Sequence, residues 1–384
     1  MIYLDNSATT PLSDGVKSAI IEALDCYGNP SSLHFEGDKA RRALASARGE
    51  IMKALGARSG KLIFTSCGSE ASNLAIRGAA FAKKRKAATR IITTDSEHPS
   101  VANALDSLQD EGFEIVRLST KNGSIDHNEL ISALEKPIFM ASIMLVNNET
   151  GAVYNVSDTF SEIKRKYPDA ICHCDAVQGF LKIKFTPASL GADMITVSGH
   201  KIHAPKGIGA LWVSDRMIKE KRIVSVLLGG GQEDGFRSGT ENTIGIIAFA
   251  KAACEGTMSF SEDVSQLQSL RSYAVAKLTE IGQGVRVNEP CVAAPHIISL
   301  TVPNIKSQTV LNHLSSKGIC VSSGSACSSH SNKPSGVLLS FGLTEKEADS
   351  TIRISLSRYN TKDDIDLLSD ALGEGIDNLA KIKK

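Results

Sequence analysis

No run of this sequence approaches the roughly 20 consecutive apolar residues that a membrane-crossing helix requires. Its opening residues, M-I-Y-L-D-N-S-A-T-T-P, hold neither the basic nor the apolar stretch of an export signal. Excess charge is absent as well. Lys and Arg number 43 against 42 Asp and Glu, a net charge of +1, which gives no electrostatic reason to expect nucleic acid or an acidic membrane as a partner. The one dense basic run, Lys83-Lys84-Arg85-Lys86, follows a helix-like segment and reads as a solvated helix end. There is no internal repeat and no low-complexity tract. A disulfide framework is also missing: eight cysteines lie scattered without regular spacing, as free thiols in a reducing compartment would. Cys172-His173-Cys174 invites a metal reading, but no second ligand pair at suitable spacing accompanies it, and alternation in a buried strand accounts for it. The expectation is a cytoplasmic globular protein without a metal.

At 384 residues and 42% hydrophobic content the chain outgrows a single ordinary core and suits a large domain with a smaller one. From Lys61 to Val146 short β-branched runs alternate with helical periodicity: Lys61–Thr65, a helix over Ala71–Phe81, Arg90–Thr94, a helix from Pro99, Glu114–Leu118, a helix over Asn128–Leu134, and Ile138–Val146. A long helix, Gly37–Leu55, precedes them and Ile171–Cys174 follows. This rhythm predicts an α/β fold with a mostly parallel central sheet, helices on both faces, and functional residues beyond the carboxyl ends of the strands. After Trp212 comes an irregular glycine-rich stretch, Leu227–Thr240, then a long helical region from Thr243 past Ile281. Strands at Ile297–Val302, Cys320–Ser322 and Ile352–Ser357, with a helix at Val310–Lys317 and another from Asp363, form a smaller α+β domain. We expect residues 15–250 to form the large domain, and 1–14 with 251–384 the small one.

Polar residues cluster where the α/β pattern predicts chemistry. Met194–Val213, M-I-T-V-S-G-H-K-I-H-A-P-K-G-I-G-A-L-W-V, places Lys201 on irregular backbone between two apolar strands. Burial disfavours an ammonium, and an amine neutral near pH 7 can condense with an aldehyde to form a Schiff base, as a pyridoxal phosphate enzyme requires. Asp175, after another strand, suits the protonated nitrogen of the pyridine ring. His98, after Glu97, can lie over the ring face and move protons. Asn148 and Gln178 are neutral donors for a phenolic oxygen. Ser66-Cys67-Gly68-Ser69-Glu70, between a strand and a helix, offers backbone N–H groups to a phosphate. Each has a plainer reading alone, as a turn or a satisfied buried side chain; together they describe one pocket.

The stretches Y-L-D-N-S-A-T-T-P, G-N-P-S-S, F-T-S-C-G-S-E-A-S-N, E-H-P-S-V, V-N-N-E-T-G, H-C-D-A-V-Q, S-G-H-K-I-H-A-P-K-G-I-G-A-L, G-G-G-Q-E-D-G-F-R-S-G-T-E-N, S-S-G-S-A-C-S-S and I-R-I-S-L-S-R run in one order from residue 3 to 358. In this set the sequence resembles the cysteine desulfurases of the NifS/IscS type, in the class V aminotransferase group of fold-type I pyridoxal phosphate enzymes. The resemblance implies a homodimer that binds pyridoxal 5'-phosphate and L-cysteine. Gly68, Ser69, Ser198 and His200 are then expected at the phosphate, with Thr240 reaching it from the other subunit. Arg353 is expected at the substrate carboxylate, a planar group that a guanidinium fork matches, with Asn29 nearby. In the phosphate turn, Cys67 stands where better-known relatives carry glycine and Gly68 where many carry alanine.

Cys327 lies among small and polar residues, Ser322 to Pro334, a composition that favours an exposed loop over burial. The resemblance makes it the nucleophile: its thiolate attacks the substrate sulfur, leaving a persulfide on Cys327 and releasing alanine. Lys201, Cys327 and His98 are accordingly the expected catalytic residues. The persulfide is expected to pass to an acceptor such as an iron–sulfur scaffold protein. A selenocysteine lyase or a related C–S lyase would share the cofactor site; a non-catalytic partner protein is disfavoured by the presence of Lys201, Asp175, His98 and Cys327 together.

Overall fold

A computed structural model describes residues 1–82, 88–324 and 334–381 of the chain. The basic run at 83–86 and Cys327 lie outside the described residues. Twelve strands are described: β1 (Ile2–Tyr3), β2 (Lys61–Thr65), β3 (Arg90–Thr94), β4 (Glu114–Leu118), β5 (Ile138–Met144), β6 (Ile171–Asp175), β7 (Met194–Ser198), β8 (Gly209–Val213), β9 (Arg286–Val287), β10 (Ile297–Thr301), β11 (Ile319–Cys320) and β12 (Thr351–Ser355).

Seven of these strands form the main sheet, in the order β2-β8-β7-β6-β5-β3-β4. Strand β8 alone runs against its neighbours β7 and β2, so the other six point one way and their carboxyl ends share one edge. The period-two alternation of each strand divides its side chains between two apolar clusters. Leu62, Ile92, Ala141, Cys172, Ile195 and Trp212 face the helices Phe35–Ala54, Val156–Lys166 and Thr243–Met258. Ile63, Ile91, Met140, Ile171, Met194 and Leu211 face the helices Gly68–Ala82 and Pro99–Gln109. Alternation also disposes of the metal reading of Cys172-His173-Cys174. Both sulfurs sit in the first cluster, while the His173 ring bonds Ser142 Oγ at 2.8 Å through Nδ1 and Thr196 Oγ1 at 2.9 Å through Nε2.

A third apolar cluster gathers Leu4 with side chains from Leu267 to Ile376. It surrounds the antiparallel sheet β12-β10-β9, and β1 pairs in parallel with β11 beside it. The expected continuous helical region from Thr243 past Ile281 is two helices, Thr243–Met258 and Phe260–Glu280. They part at Ser259, where the chain leaves the first cluster for the third. The Ser259 hydroxyl fixes the break, donating to Asp263 Oδ2 at 2.7 Å and accepting from Arg358 Nη1 at 3.1 Å.

Residues 5–10 join the two parts. Asp5 bridges to Ser355 of β12, and the Thr10 hydroxyl donates to the His200 carbonyl at 3.0 Å. The glycine-rich stretch is not a free loop. Buried Glu233 takes a two-point bond from Arg48 and one from the Phe64 N–H, and Arg237 pairs with Glu70, so the stretch is pinned to the β2 edge of the sheet.

Candidate active site

The shared edge of carboxyl ends opens into a cavity of about 210 Å³. Each loop that follows a strand supplies part of its wall: Cys67, Gly68 and Ser69 after β2, His98 and Ser100 after β3, Asn148 after β5, Asp175 to Gln178 at the end of β6, and Ser198, His200 and Lys201 after β7. Arg353 of β12 and the backbone at Ser7 and Ala8 close it. The sheet thus collects, in one place, residues up to 346 positions apart in sequence, Ser7 and Arg353 being the extremes.

Lys201 ends a short 3-10 turn, Gly199–Lys201, and its ammonium donates to the Ser7 carbonyl at 2.6 Å and the Ala8 carbonyl at 2.8 Å. These two main-chain oxygens are the acceptors that the N-terminal strip brings to the half-buried amine. Gln178 reaches the same strip, its Nε2 donating to Ser7 O at 2.9 Å. Neither carbonyl was signalled by side-chain type; only the motif Y-L-D-N-S-A-T-T-P marked the segment.

Asp175 closes β6 with its Oδ1 accepting from the Val177 N–H at 3.0 Å. Burial pushes its carboxyl up to about 6, against the pull of that N–H and of Lys201. Beneath it lies a second buried carboxyl that the sequence reading left without a role. Glu97 Oε1 accepts from Thr94 Oγ1 at 2.7 Å and from the Met144 N–H at 2.9 Å, while Oε2 has no partner. Burial first, then the charges of Asp175 and Asp95, push Glu97 up to about 8, so it is neutral at pH 7.

His98 caps the Pro99–Gln109 helix: its Nδ1 accepts from the Ser100 N–H at 3.1 Å. Burial and the neighbouring Lys201 hold the ring neutral, down to about 4. Since Nδ1 is the acceptor, the proton sits on Nε2, and the neutral ring enters the cavity as a donor. His200 is likewise pushed down to about 4 by burial and by Lys201 and Lys206, and its Nδ1 meets Thr9 Oγ1 at 3.3 Å.

At the other end of the cavity the Gly68–Ala82 helix begins, presenting the free N–H groups of its first turn. A Cβ on Gly68 would fill this end, coming within 3.0 Å of Val177 Cγ2 and 3.4 Å of Ser198 Cβ. Ser198 Oγ is buried there without a partner. A buried hydroxyl left unpaired costs about 1–3 kcal/mol, so the position suits a ligand acceptor. Orphan hydroxyl, helix start, a carboxylate at the floor and a lysine between them fit a ring compound with an anion at one end and a basic nitrogen at the other, as in pyridoxal phosphate.

Arg353 is 2% exposed. Its Nη1 donates to the Asn148 carbonyl at 2.8 Å, its Nη2 to Asp5 Oδ1 at 2.9 Å, and its Nε is buried without a partner. Asp5 was another residue without an assigned role.

Two expected residues are not in the cavity. Asn29 lies exposed on its loop with Oδ1 accepting from the Ser31 N–H at 2.9 Å, and Thr240 lies exposed beside Ser66 and Arg237, in a separate surface depression. Neither lines the cavity of its own chain.

Residues 2–368 match the model of the aminotransferase class-V family. The chain is 39% identical to a cysteine desulfurase of Nostoc over 99% of its length and 94% of the relative's. It is 38% identical to a cysteine desulfurase IscS of Dictyoglomus turgidum, over 99% of this chain and 96% of that one. Among solved structures, a NifS-like protein superposes with a TM-score of 0.89 at 33% identity over 97% of this chain and 98% of its own. A structure described as SspA in complex with cysteine superposes with a TM-score of 0.80 at 33% identity, over 94% and 100%. The cavity at the strand ends, the fold around it and these likenesses over nearly the whole length agree: the chain belongs to the aminotransferase class-V family.

Proposed function

We infer that the protein is a pyridoxal phosphate-dependent cysteine desulfurase, which converts L-cysteine to L-alanine and carries the sulfur as a persulfide on Cys327. The reading rests on the convergence of Lys201, Asp175, His98 and Arg353 on one cavity, in a chain whose relatives over nearly its full length are named cysteine desulfurases. The likeness to a structure described with cysteine supports the substrate.

When bound, the cofactor supplies an electron sink that weakens bonds at the substrate's α-carbon. The chain's part is to hold and to move protons. Gly68, Ser69, Ser198 and His200 would hold the phosphate, Asp175 would pair with the ring nitrogen, Asn148 and Gln178 would donate to the phenolic oxygen, and His98 would sit beside the ring. Lys201 would hold the cofactor and take the substrate's α-proton, its charge then met by the carbonyls of Ser7 and Ala8. Arg353 reads the substrate carboxylate with the Nε edge that has no protein partner, while Asp5 and the Asn148 carbonyl hold the other side of its fork. The thiolate of Cys327 then attacks the substrate sulfur. An S–S bond forms, the C–S bond breaks with its electrons passing to the three-carbon fragment, and protonation of that fragment completes alanine.

A homodimer completes the site. Thr240 reaches the phosphate of the other subunit, and Asn29 lies toward the substrate once the exposed apolar side chains around it, Tyr27, Leu33 and Phe35, are covered by the second copy. Residues 15–250 carry the cofactor, and 1–14 with 251–384 carry Arg353 and Cys327. The persulfide passes to a protein acceptor such as an iron–sulfur scaffold, in a cytoplasmic setting that suits the free cysteines among the described residues. Among these residues no helix is long and apolar enough to cross a membrane.

The test is mass spectrometry of the cofactor-loaded protein after addition of L-cysteine. Wild type gains one sulfur on the peptide containing Cys327 and releases alanine in equal amount. A Cys327→Ser protein binds cofactor and cysteine but gains no sulfur; sustained alanine and sulfide production by that variant overturns the reading.

A further inference from the structure

The loop after β5, Asn147-Asn148-Glu149-Thr150-Gly151, contains a charged residue that the chemistry above does not use. Glu149 is only 4% exposed. Burying a carboxylate is costly unless bonds compensate, so its contacts indicate its purpose.

The loop itself is rigid. Asn147 Oδ1 accepts from the N–H groups of Glu149 and Thr150, each at 2.9 Å, and its Nδ2 donates to the Ser96 carbonyl at 3.1 Å. From this fixed base Glu149 Oε2 accepts the Ser335 hydroxyl at 2.6 Å. Ser335 is the N-cap of the Gly336–Phe341 helix, its Oγ accepting from the Leu338 N–H at 3.4 Å. The same carboxylate oxygen lies against Gly324. A Cβ there would be 2.9 Å from Glu149 Oε2 and 3.9 Å from Ser335 Cβ, and φ at Gly324 is +81°, so a side chain is excluded by both contact and conformation. Gly324 and Ser335 flank the stretch that contains Cys327; Ser335 is bonded to this oxygen, and Gly324, lacking a side chain, leaves it room. The first of these ends is also tied to the substrate side. Ser322 and Arg353 exchange two backbone bonds, at 2.6 and 3.1 Å, and Ser322 Oγ donates to the Gly324 carbonyl at 3.2 Å. Asn148, the neighbour of Glu149, accepts from Arg353 through its carbonyl.

We propose that Glu149 is a positioning residue that fixes the Ser335 end of the Cys327 segment to the loop after β5, beside the Gly324 end that Ser322 ties to Arg353. Its kinetic consequence rests on the reading of Cys327 as the sulfur nucleophile; the anchoring itself concerns only Glu149, Gly324 and Ser335. Without the carboxylate the cofactor and the substrate carboxylate keep their own contacts, but the Ser335 end of the segment loses its anchor. A charged hydrogen bond of the kind lost here corresponds to a factor of roughly 10 to 100.

The experiment compares wild type, Glu149→Ala, Glu149→Gln, Ser335→Ala and Cys327→Ser as full-length, cofactor-loaded proteins. Amide hydrogen exchange is followed over Ser322–Gly324 and Ser335–Leu338. The visible absorbance of bound cofactor, KM for cysteine and the single-turnover rate of persulfide formation are measured alongside. In Glu149→Ala, exchange rises over Ser335–Leu338 and persulfide formation slows about tenfold or more, the loss of one charged bond, with absorbance and KM unmoved. Glu149→Gln keeps an oxygen for the Ser335 hydroxyl and restores most of the rate, and Ser335→Ala repeats the slowing from the other partner. Unchanged exchange in Glu149→Ala overturns the anchor. So does loss of the cofactor band, which would make Glu149 part of the cofactor floor, and so does increased exchange with an unchanged persulfide rate. Turnover by Cys327→Ser overturns instead the nucleophile reading, and the exchange data then decide the anchor by themselves.

Discussion

Glu97 offers a test of the site's electrostatics that needs no cofactor. Its carboxyl is raised to about 8 from 4.5 in the folded chain, chiefly by burial. Between those two values the unfolded chain holds Glu97 ionised and the folded chain holds it protonated, so the folded state binds the extra proton. Stability from this group is fully present below pH 4.5 and is lost as pH rises to about 8, at 1.36 kcal/mol per unit, or about 5 kcal/mol in all. In Glu97→Gln the amide oxygen can replace Oε1, which accepts from Thr94 and the Met144 N–H, but the amide nitrogen falls at Oε2, which has no partner. The amide places two N–H donors there where the neutral carboxyl places one O–H, and the additional unpaired donor costs roughly 1–3 kcal/mol at every pH.

The two effects have different pH dependence, so they predict a crossing. At pH 5 the variant is less stable than wild type. Wild type then loses stability with rising pH and the variant does not, and the curves cross between about pH 5 and 7. At pH 8.5 the variant is the more stable by about 2–4 kcal/mol, the 5 kcal/mol less the cost of the unpaired amide. The assay is equilibrium urea unfolding of both proteins at pH 5, 6, 7 and 8.5, with m-values compared so that only midpoint shifts are read as stability. Titrating groups that do not interact with Glu97 cancel in the difference, and Asp175 and Asp95, which do, are part of the effect being read. A stability difference that stays flat from pH 5 to 8.5 refutes a neutral Glu97.

Three further outcomes follow from the geometry. Arg353→Lys keeps a charge but not the fork that holds Asn148 O and Asp5, and should raise KM for cysteine about 10- to 100-fold, measured by alanine release, with cofactor absorbance unchanged; an unaltered KM removes Arg353 from the carboxylate site. Borohydride treatment of the loaded protein should fix the cofactor on the peptide containing Lys201, and Lys201→Ala should yield no such peptide. Glu233→Ala leaves the Arg48 guanidinium and the Phe64 N–H without their acceptor. It should cost about 1–3 kcal/mol in urea unfolding, the penalty for the Phe64 N–H left unpaired, since Arg48 is partly exposed and keeps the Leu62 carbonyl; no measurable loss would show the glycine-rich stretch to be held by other contacts.

The alternation of short strands and helices was enough to anticipate a mainly parallel sheet and a line of polar residues at its carboxyl edge, because period and strand-end position are local properties. Lys201, Asp175, His98, Asn148 and Gln178 all follow strands, and all line one cavity. Helix limits were displaced where a boundary depends on a neighbour: the break at Ser259 follows the change from one apolar cluster to another and is secured by Arg358, which lies far along the chain. Thr240 and Asn29 were assigned by resemblance alone, and the fold of one chain leaves both on its surface.

What the sequence could not convey is the chemistry of backbone and of long-range pairs. A lysine between two apolar strands implied a partly buried amine but not its partners; these are the carbonyls of Ser7 and Ala8, brought to it by the closure of residues 5–10 over the sheet. The same closure sets Asp5 on Arg353. Neither the spacing around Lys201 nor its burial contains that information, because the acceptors are main-chain oxygens 194 and 193 residues away.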